Sequence, residues 1–318
     1  MNPDTSASSI TRRHFLGAAG LAAGLAASGR LRGASAAAAG STAPIARVGP
    51  REILGFGKPF IHLNLEEAAD LVAEVGWDGI DCPVRATLAA IKPERVEEDL
   101  PPMVEALKRR GKTVPIVTTD IVRLDARAEK VLRTLAALGI KSYRFGFVRY
   151  PKDRPAPQRL QEFSAALRDL SAINRELGLR GGYQNHSGTD YLGATIWELW
   201  LAMKDLEPGT VGLCYDIGQA MVEGGLSWPT QMTLLQSQWL AIQIKDFVWE
   251  NATPRGWDVR WCPLGQGRVT PAVLDTIAYR TFAGPLIQHH EHIPPRMPRA
   301  ELVASLKREF ETLRSWLA

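Results

Sequence analysis

Short apolar runs alternate with longer amphipathic segments from residue 51 to the C-terminus. The short runs have the length and composition of buried strands and cover 53–60, 79–84, 113–121, 142–148, 181–188, 212–219, 241–247 and 285–292. The longer segments repeat apolar residues at helical spacing; the first begins near residue 65, and the others cover 94–110, 126–138, 158–177, 196–206, 229–238, 271–282 and 299–317. Eight strand–helix pairs predict an α/β fold, a single-domain (β/α)8 TIM barrel, over residues 51–318.

A doubly wound α/β sheet is the alternative architecture for alternating strands and helices. Sheets of that type which bind dinucleotides place a glycine-rich phosphate loop directly after the first strand. Here the first strand leads into LNLEEAADLVAEVG, which contains no such loop. The pattern therefore favours the barrel, and no Pro-, Gly- or Ser-rich linker divides residues 51–318 into two domains.

Four strands in the second half of the chain end in polar residues. They read GGYQNHSG (181–188), GLCYDIGQ (212–219), AIQIKDF (241–247) and PLIQHHEH (285–292). In a (β/α)8 barrel the carboxyl ends of all strands meet on one face, and active sites are built there. We therefore expect these amide, carboxylate, imidazole and ammonium groups to form one site.

The N-terminal segment has the pattern of an export signal. Arg12 and Arg13 directly precede a weakly apolar Ala/Gly/Leu run at 18–27, and the small residues at 34–36 suit a cleavage site. We interpret residues 1–40 as a cleaved twin-arginine signal peptide and linker, with the twin-arginine translocase as partner and a periplasmic or extracellular location. The apolar run is too short to serve as a stable membrane anchor. A disordered basic tail is the alternative interpretation.

Net charge and cysteine content restrict the function classes. Residues 1–40 carry four basic groups and one acidic group, whereas the whole chain is +4, so the net charge of the remainder is about +1. That value does not favour a nucleic-acid partner. The three cysteines, Cys82, Cys214 and Cys262, are too few for a disulfide framework. Because Cys82 and Cys214 lie in predicted strands, we expect buried thiols, although one bridge is an alternative.

The longest stretch predicted to be irregular, 249–268, contains three tryptophans. Trp249, Trp257 and Trp261 lie between the seventh strand and its helix. An indole face offers a large, rigid surface for the C–H face of a sugar ring. We therefore predict that these tryptophans, together with Asn185, bind substrate. Capping of an exposed barrel rim is the alternative role for the indoles.

Six motifs occur in an order and spacing that resembles the xylose isomerase-like sugar isomerase/epimerase family, which shares its barrel with endonuclease IV. They are GWDGID (76–81), NH (185–186), YD (215–216), KD (245–246), PLGQGRV (263–269) and GPLIQHHEH (284–292). The resemblance covers nearly all of residues 51–318. It implies a TIM barrel that acts on a small carbohydrate. The phosphodiesterase activity of the endonuclease branch is disfavoured because it requires many more His, Glu and Asp ligands than this chain offers.

The resemblance also implies a place for a divalent metal ion. Metal-dependent members hold the ion with side chains on the last four strands, and the matching positions here are Gln184, Asp216, Gln243 and His289. Only the aspartate agrees with the family pattern, although Glu291 points the same way as His289 because strand side chains alternate. Such an oxygen-rich, weakly charged set suits Mn²⁺ or Mg²⁺ better than Zn²⁺.

A metal-free network is the alternative to that ion. In this interpretation Asp216, His289, Lys245 and Glu291 hydrogen-bond to one another and contact the sugar hydroxyl groups directly. Gln219 stands where the family commonly has a histidine, and Gln184 can ligate through oxygen but cannot accept a proton. These departures decide which residues remain for catalysis.

Isomerases and epimerases require a base next to a carbonyl group and a cation or donor for the developing enediolate. His186, Lys245 and Glu291 supply an imidazole, a cation and a carboxylate near strand ends, and we predict that they are catalytic. The structural alternatives are that His186 has no catalytic role and that Lys245 forms a buried ion pair with Asp246. We predict proton transfer next to a sugar carbonyl, leading to isomerisation, epimerisation or elimination. The alternative function, of another class, is a catalytically reduced barrel that binds carbohydrate without turnover.

The double substitution Arg12→Lys with Arg13→Lys should leave unprocessed precursor in the cytoplasm, because the twin-arginine route reads that pair. The measurement is immunoblotting of cytoplasmic and periplasmic fractions, with Arg30→Lys/Arg32→Lys as the matched control. Normal periplasmic accumulation of the Arg12/Arg13 variant would contradict the signal assignment.

Overall fold

The computed structural model describes residues 51–254, 256–276 and 280–318. Eight parallel strands close into a barrel, with each strand beside its neighbours in chain order and the last beside the first. The strands are β1 (Ile53–Phe56), β2 (Gly79–Val84), β3 (Thr113–Thr119), β4 (Ser142–Arg144), β5 (Arg180–Gln184), β6 (Val211–Asp216), β7 (Trp239–Ile244) and β10 (Leu286–Gln288). The closed barrel confirms the predicted (β/α)8 fold and excludes the doubly wound sheet. The predicted signal segment, 1–40, lies outside the described residues.

Helices follow the strands and cover the outside of the barrel. They are α1 (Leu65–Val75), α2 (Val96–Lys108), α3 (Ala126–Ala137), α4 (Ala156–Leu177), α5 (Ile196–Met203), α6 (Ile217–Gly224), α7 (Trp228–Thr233), α8 (Pro271–Leu274) and a C-terminal helix (Arg299–Leu317). Four short 3₁₀ turns occur at Lys58–Phe60, Pro93–Arg95, Gly225–Ser227 and Gln236–Gln238. In the described part of the chain, no helix is long and apolar enough to span a membrane.

Helix α1 shows how local sequence sets these elements. Asn64 accepts a hydrogen bond from the backbone N–H of Glu67, whose carboxylate accepts one from the backbone N–H of Asn64. This reciprocal cap satisfies two donors at the start of the helix. The helix ends at Gly76, which adopts a left-handed φ of 100° that other residues rarely tolerate. The next residue, Trp77, is fully buried behind the barrel wall.

Two hydrophobic layers hold the barrel together. The larger one lies between the strands and the helices and includes Trp77, Tyr143 and Tyr215, all of them buried. The smaller one fills the inside of the barrel and consists of Leu54, Phe56, Ile116, Cys214, Leu240, Ala241 and Ile287. The three cysteines are buried and free, as expected from the sequence.

The first part of the stretch 249–268 forms strands, which corrects the expectation that the whole stretch is an irregular loop. Strand β8 (Asp246–Thr253) pairs antiparallel with β9 (Gly256–Cys262), so that Phe247 lies opposite Trp261. The segment WDVRW (257–261) alternates apolar and charged residues, the period of a strand with one solvent-facing side. The hairpin therefore extends from the carboxyl end of β7, where a barrel carries its site.

Asp246 fastens the loop after this hairpin. Its carboxylate accepts hydrogen bonds from the backbone N–H groups of Gly265, Gly267 and Val269 at 2.8–3.0 Å. A Cβ atom at Gly267 would lie 2.2 Å from the Phe247 carbonyl oxygen, so only glycine fits this approach. Asp246 therefore has a structural role in holding this loop, and Lys245 is not needed as its partner.

Candidate active site

Polar side chains form a layer inside the carboxyl end of the barrel. Most of them lie two residues beyond a member of the inner apolar layer, and the others lie at the same level of their own strands. Because strand side chains alternate with a period of two, all of them face the barrel axis. The layer comprises Thr118, Arg144, Gln184, Asp216, Gln243 and His289, all of which are buried. The four residues predicted to surround a metal ion therefore face one interior space.

Asp216 lies at the centre of this layer. Its Oδ2 atom is 3.0 Å from Lys245 Nζ and accepts a 2.6 Å hydrogen bond from Gln184 Nε2. Its Oδ1 atom accepts one from the backbone N–H of Gln219 at 3.0 Å, where α6 begins. Asn185 Oδ1 accepts from the backbone N–H of Asp216 at 2.8 Å, and Asn185 Nδ2 donates to its carbonyl at 2.9 Å. The carboxylate is held from every side.

Asn185 is consequently placed otherwise than predicted. It is fully buried, and both atoms of its side-chain amide bond the backbone of Asp216. Each end of the amide thus makes a backbone hydrogen bond, and the predicted contact of Asn185 with substrate stays a prediction. Asn185 positions the carboxylate instead.

A second chain of polar contacts leads from Gln184 to β2. Arg144 donates through Nη1 to Gln184 Oε1 and through Nε to Thr118 Oγ1 at 3.0 Å, and Thr118 donates to Asp81 Oδ2 at 2.7 Å. Burial lowers the pKa of Arg144, although the charge of Asp81 opposes this effect. Burial also raises the pKa of Asp81. Sequence reasoning missed Arg144, although a charged residue within the apolar run SYRFGFV (142–148) was the available signal.

The donor set does not fit the predicted divalent ion. The Asp216 carboxylate is paired with the ammonium of Lys245, and the amide oxygen of Gln184 accepts from the Arg144 guanidinium. A divalent ion 4 Å from an ammonium group would be repelled by about 8 kcal/mol at an effective dielectric constant of about 20. In the described residues, no group of three His, Cys, Asp or Glu side chains is arranged to hold a metal. Of the predicted metal-free network, the structure contains the Asp216–Lys245 pair, whereas His289 and Glu291, 3.9 Å apart, are not hydrogen-bonded to it.

His186 lies on the loop after β5 and is half-buried. Its ring stacks on Tyr191 at a centroid distance of 4.0 Å, and its Nδ1 atom is 2.8 Å from the Ser187 carbonyl oxygen. Because a carbonyl only accepts, Nδ1 carries the proton and Nε2 presents a lone pair. Burial and the charge of Lys245 lower the pKa of His186 to about 4, so its imidazole is neutral at pH 7.

His289 and Glu291 form the opposite side of the site. His289 stacks on Phe56 at 4.5 Å, and its Nδ1 atom is 3.9 Å from Glu291 Oε1, which is longer than a hydrogen bond. Burial lowers the pKa of His289 to about 4, against the contact with Glu291. Burial alone would raise the pKa of Glu291, but His289 and the charges of Lys245 and Lys58 hold it well below its usual range. Lys58 Nζ is 2.5 Å from Glu291 Oε2.

The neighbouring His290 faces the other way. Its ring lies 5.7 Å from that of Trp77, and its Nε2 atom is 3.9 Å from Glu309 of the C-terminal helix. His290 therefore packs between the last strand and the C-terminal helix. It also shows that the alternation of the last strand continues past Gln288.

The three tryptophans lie at different distances from this layer. The ammonium of Lys245 is 4.3 Å from the centroid of the Trp261 ring, a cation–π contact. Trp249 contacts Phe247 and is 38% exposed, and Trp257, paired with Asn251 near the hairpin tip, is 68% exposed. The structure thus brings Trp261 to the predicted site but leaves the other two on the outer part of the hairpin.

A cavity opens beside the site. Its volume is about 670 Å³, and it lies between the hairpin and the end of β10, where Trp261, Arg260, Glu291 and His292 contribute to its walls. A second cavity of about 600 Å³ lies outside the barrel near α3 and α4 and contains none of the predicted catalytic residues. The first cavity can admit a ligand of monosaccharide size to the neighbourhood of Glu291.

The chain belongs to the xylose isomerase-like TIM barrel family, whose sequence profile matches residues 69–315. No curated protein sequence matches it. Solved structures with the same fold include 3-keto-D-glucoside 4-epimerase from E. coli, which is 16% identical with a TM-score of 0.62 and coverage of 82% of this chain and 100% of that one. D-allulose 3-epimerase from Methylomonas sp. is 16% identical, with a TM-score of 0.61 and coverage of 85% and 99%.

A third similar structure carries a metal. It is a xylose isomerase-like TIM barrel protein from Mycobacterium smegmatis in complex with magnesium, 15% identical, with a TM-score of 0.61 and coverage of 84% of this chain and 98% of that one. At such identities the likeness concerns the fold. The ion belongs to that protein, whereas here cationic side chains contact Asp216 and Gln184, two of the four groups expected to bind one.

His289 predicts a component of acid sensitivity. Its pKa of about 4 lies below the ordinary value of 6.5, so its contribution to stability is complete above pH 6.5 and is lost as the pH falls towards 4. The free energy of unfolding should be measured with urea at about pH 7 and at about pH 4.5. The decrease between the two pH values should be smaller for His289→Asn than for wild type, by roughly 2 kcal/mol. His62→Asn, at an exposed histidine, is the control. Equal losses for His289→Asn and wild type would contradict a neutral, buried imidazole.

Proposed function

We propose that this protein is an enzyme that transfers a proton at the carbon next to the carbonyl group of a sugar or oxidised sugar. Isomerisation, epimerisation or elimination from a keto-sugar would follow from where the proton returns or which group leaves. One observation carries the proposal: the ammonium of Lys245, 3.0 Å from Asp216 Oδ2, is buried at the carboxyl end of the barrel beside neutral imidazoles. Membership of the xylose isomerase-like family supports it.

Lys245 takes the role of the electrophile. An ammonium group has three N–H donors, and Asp216 accepts from one side while the Trp261 ring lies 4.3 Å away on another. A remaining donor reaches the substrate carbonyl oxygen and stabilises the negative charge that develops there. Charge stabilisation by a fixed, water-excluded donor is commonly the largest catalytic contribution in such sites. Gln184 and Asp216 keep the ammonium in place.

His186 takes the role of the base. Its bare Nε2 accepts the proton, the C–H electron pair forms the enediolate double bond, and the carbonyl π pair moves to the oxygen bound by Lys245. Burial, together with the positive charge of Lys245, lowers the pKa of His186 to about 4 and keeps its imidazole neutral at pH 7. Protonated His186 then returns the proton to the same or the adjacent carbon. Glu291, ionised beside His289, binds sugar hydroxyl groups or assists a leaving group.

A barrel that binds carbohydrate without turnover is the second candidate. The observation that favours it is the pair of amides, Gln184 and Gln243, on the inner face of β5 and β7, where neither can accept a proton. Gln243 moreover has no hydrogen-bond partner for either amide atom within the described structure. A free amide in a buried site is suited to recognition of hydroxyl groups.

The location of the reaction follows from the N-terminal pattern. We propose that Arg12 and Arg13 direct the protein through the twin-arginine translocase to the periplasm or the exterior. The substrate is then a small carbohydrate present outside the cytoplasm. Phosphorylated sugars, which are cytoplasmic metabolites, fit that location poorly.

Lys245→Met and His186→Asn should each lower turnover by ~10²–10⁴-fold in protein that still folds. Lys245→Met should also be less stable, because it leaves Asp216 buried without its cation. The measurement is incorporation of deuterium from solvent into a panel of aldoses, ketoses and 3-keto-glycosides, with circular dichroism to verify folding. Lys204→Met, a partly exposed lysine outside the site, is the matched control and should leave turnover unchanged. Activity lost with chelator and restored by Mn²⁺ would contradict the metal-free mechanism.

The same panel separates enzyme from binding module. A wild-type protein that binds a member of the panel but exchanges no proton and forms no product would refute the enzyme and leave the binding function. Full activity in Lys245→Met would refute the assignment of the electrophile.

A further inference from the structure

Two guanidinium groups lie close to one aromatic ring inside the barrel mouth. The central carbon of Arg85 is 5.6 Å from the centroid of the Phe56 ring, and that of Arg144 is 5.7 Å from it. Burial lowers the pKa of Arg85 to about 10, and the charge of Arg144 adds to this effect. Two like charges are thus held near each other in a partly water-excluded space, an arrangement that costs free energy unless an anion compensates it.

Neither guanidinium has a carboxylate partner of its own. Arg85 donates to the Leu88 carbonyl oxygen at 2.9 Å, and its Nε atom is buried without an acceptor. Arg144 donates to the neutral oxygens of Thr118 and Gln184. Across the described residues, no Asp or Glu oxygen lies within 4.0 Å of either group.

The other two cations of the site are differently arranged. Lys58 is 2.5 Å from Glu291, and Lys245 is 3.0 Å from Asp216. Two further carboxyl groups act on the guanidinium groups only through their charge. Asp81 accepts a hydrogen bond from Thr118 rather than from Arg144, and Asp120 lies 3.5 Å from Arg127. Pairing therefore leaves the positive charge in excess at the Arg85–Arg144 end of the site.

We propose that Arg85 and Arg144 form a subsite for the carboxylate group of an oxidised sugar, a conclusion that rests on the function proposed above and names its substrate class. A planar guanidinium matches a carboxylate through paired N–H donors, and the bonds to an ionised acceptor are short and strong. The proposal accounts for both the unpaired Arg85 Nε and the proximity of two like charges. A neutral sugar would leave both unexplained.

The position of the subsite orients the rest of such a ligand. Arg144 is linked to Lys245 through Gln184 and Asp216, so the carboxylate and the carbonyl group would occupy opposite ends of one hydrogen-bonded row. Gln243 and His289, buried on the inner face with polar atoms that have no hydrogen-bond partner, lie on adjacent strands and are available to the hydroxyl groups between them. A uronic acid in its open-chain form presents an anion, hydroxyl groups and a carbonyl in that order.

Calorimetric titration tests the subsite independently of turnover. The probes are D-glucuronate, D-galacturonate and D-gluconate, each compared with its neutral counterpart (D-glucose, D-galactose, D-glucitol) and with D-glucose 6-phosphate. We expect at least one acid to bind about 10–100-fold more tightly than its neutral counterpart, and Arg85→Gln to abolish that preference without weakening the neutral sugar. Arg95→Gln, an exposed arginine paired with Asp99, is the matched control and should behave as wild type.

Three results would overturn the subsite: no acid preferred over its neutral counterpart, a preference that survives in Arg85→Gln, or tighter binding of the phosphate than of every carboxylate. Failure of the proposed function has a different signature. If an acid binds through Arg85 but wild-type protein exchanges no proton into it, the proposed enzymatic function is refuted and the subsite is supported. If a neutral sugar turns over with no acid preference, the subsite alone fails.

Discussion

The arrangement of the barrel mouth depends on one buried ion pair. Asp216 and Lys245 are both inaccessible to solvent, 3.0 Å apart, at the ends of adjacent strands. Removing either partner would leave an uncompensated buried charge, a loss of ~3–5 kcal/mol in comparable cases. The side-chain amide of Gln184 and the backbone N–H of Gln219 in α6 donate further hydrogen bonds to the Asp216 carboxylate. The pair therefore fixes the direction of the Gln184 amide, which in turn presents its oxygen to Arg144.

That chain of contacts distributes charge across the site. Arg144 donates hydrogen bonds to Gln184 at the end of β5 and to Thr118 of β3. Its charge therefore has no carboxylate partner and lies near that of Arg85. At the opposite side, Glu291 is ionised between Lys58 and His289. Cationic groups thus contact Gln184 and Asp216, two of the four positions expected to hold a metal ion, and this arrangement is the basis for proposing Lys245 as an organic electrophile.

The sequence predicted the fold and the direction of the site residues, because both follow from local periodicity. Buried strands alternate, so Asp216, Gln243 and His289 could be placed on one interior face before any coordinates. The sequence left two partners open for Lys245. Asp246 is adjacent in the chain but bonds the loop 263–269, whereas Asp216 is adjacent only across β6 and β7, a proximity that local sequence does not encode. Arg144 could not be predicted from periodicity, because a single charge within an apolar strand forms no repeating pattern. The hairpin escaped notice because its alternation of Trp and charged residues falls outside the eight expected pairs.

The proposed mechanism requires that side-chain cations, and no divalent ion, neutralise Asp216. Electron paramagnetic resonance of free Mn²⁺ during titration with the full chain measures this directly, with Asp216→Asn as comparison. The account predicts that wild type and Asp216→Asn leave the free Mn²⁺ signal equally undiminished. Loss of one equivalent of free Mn²⁺ per wild-type chain, absent in Asp216→Asn, would contradict it.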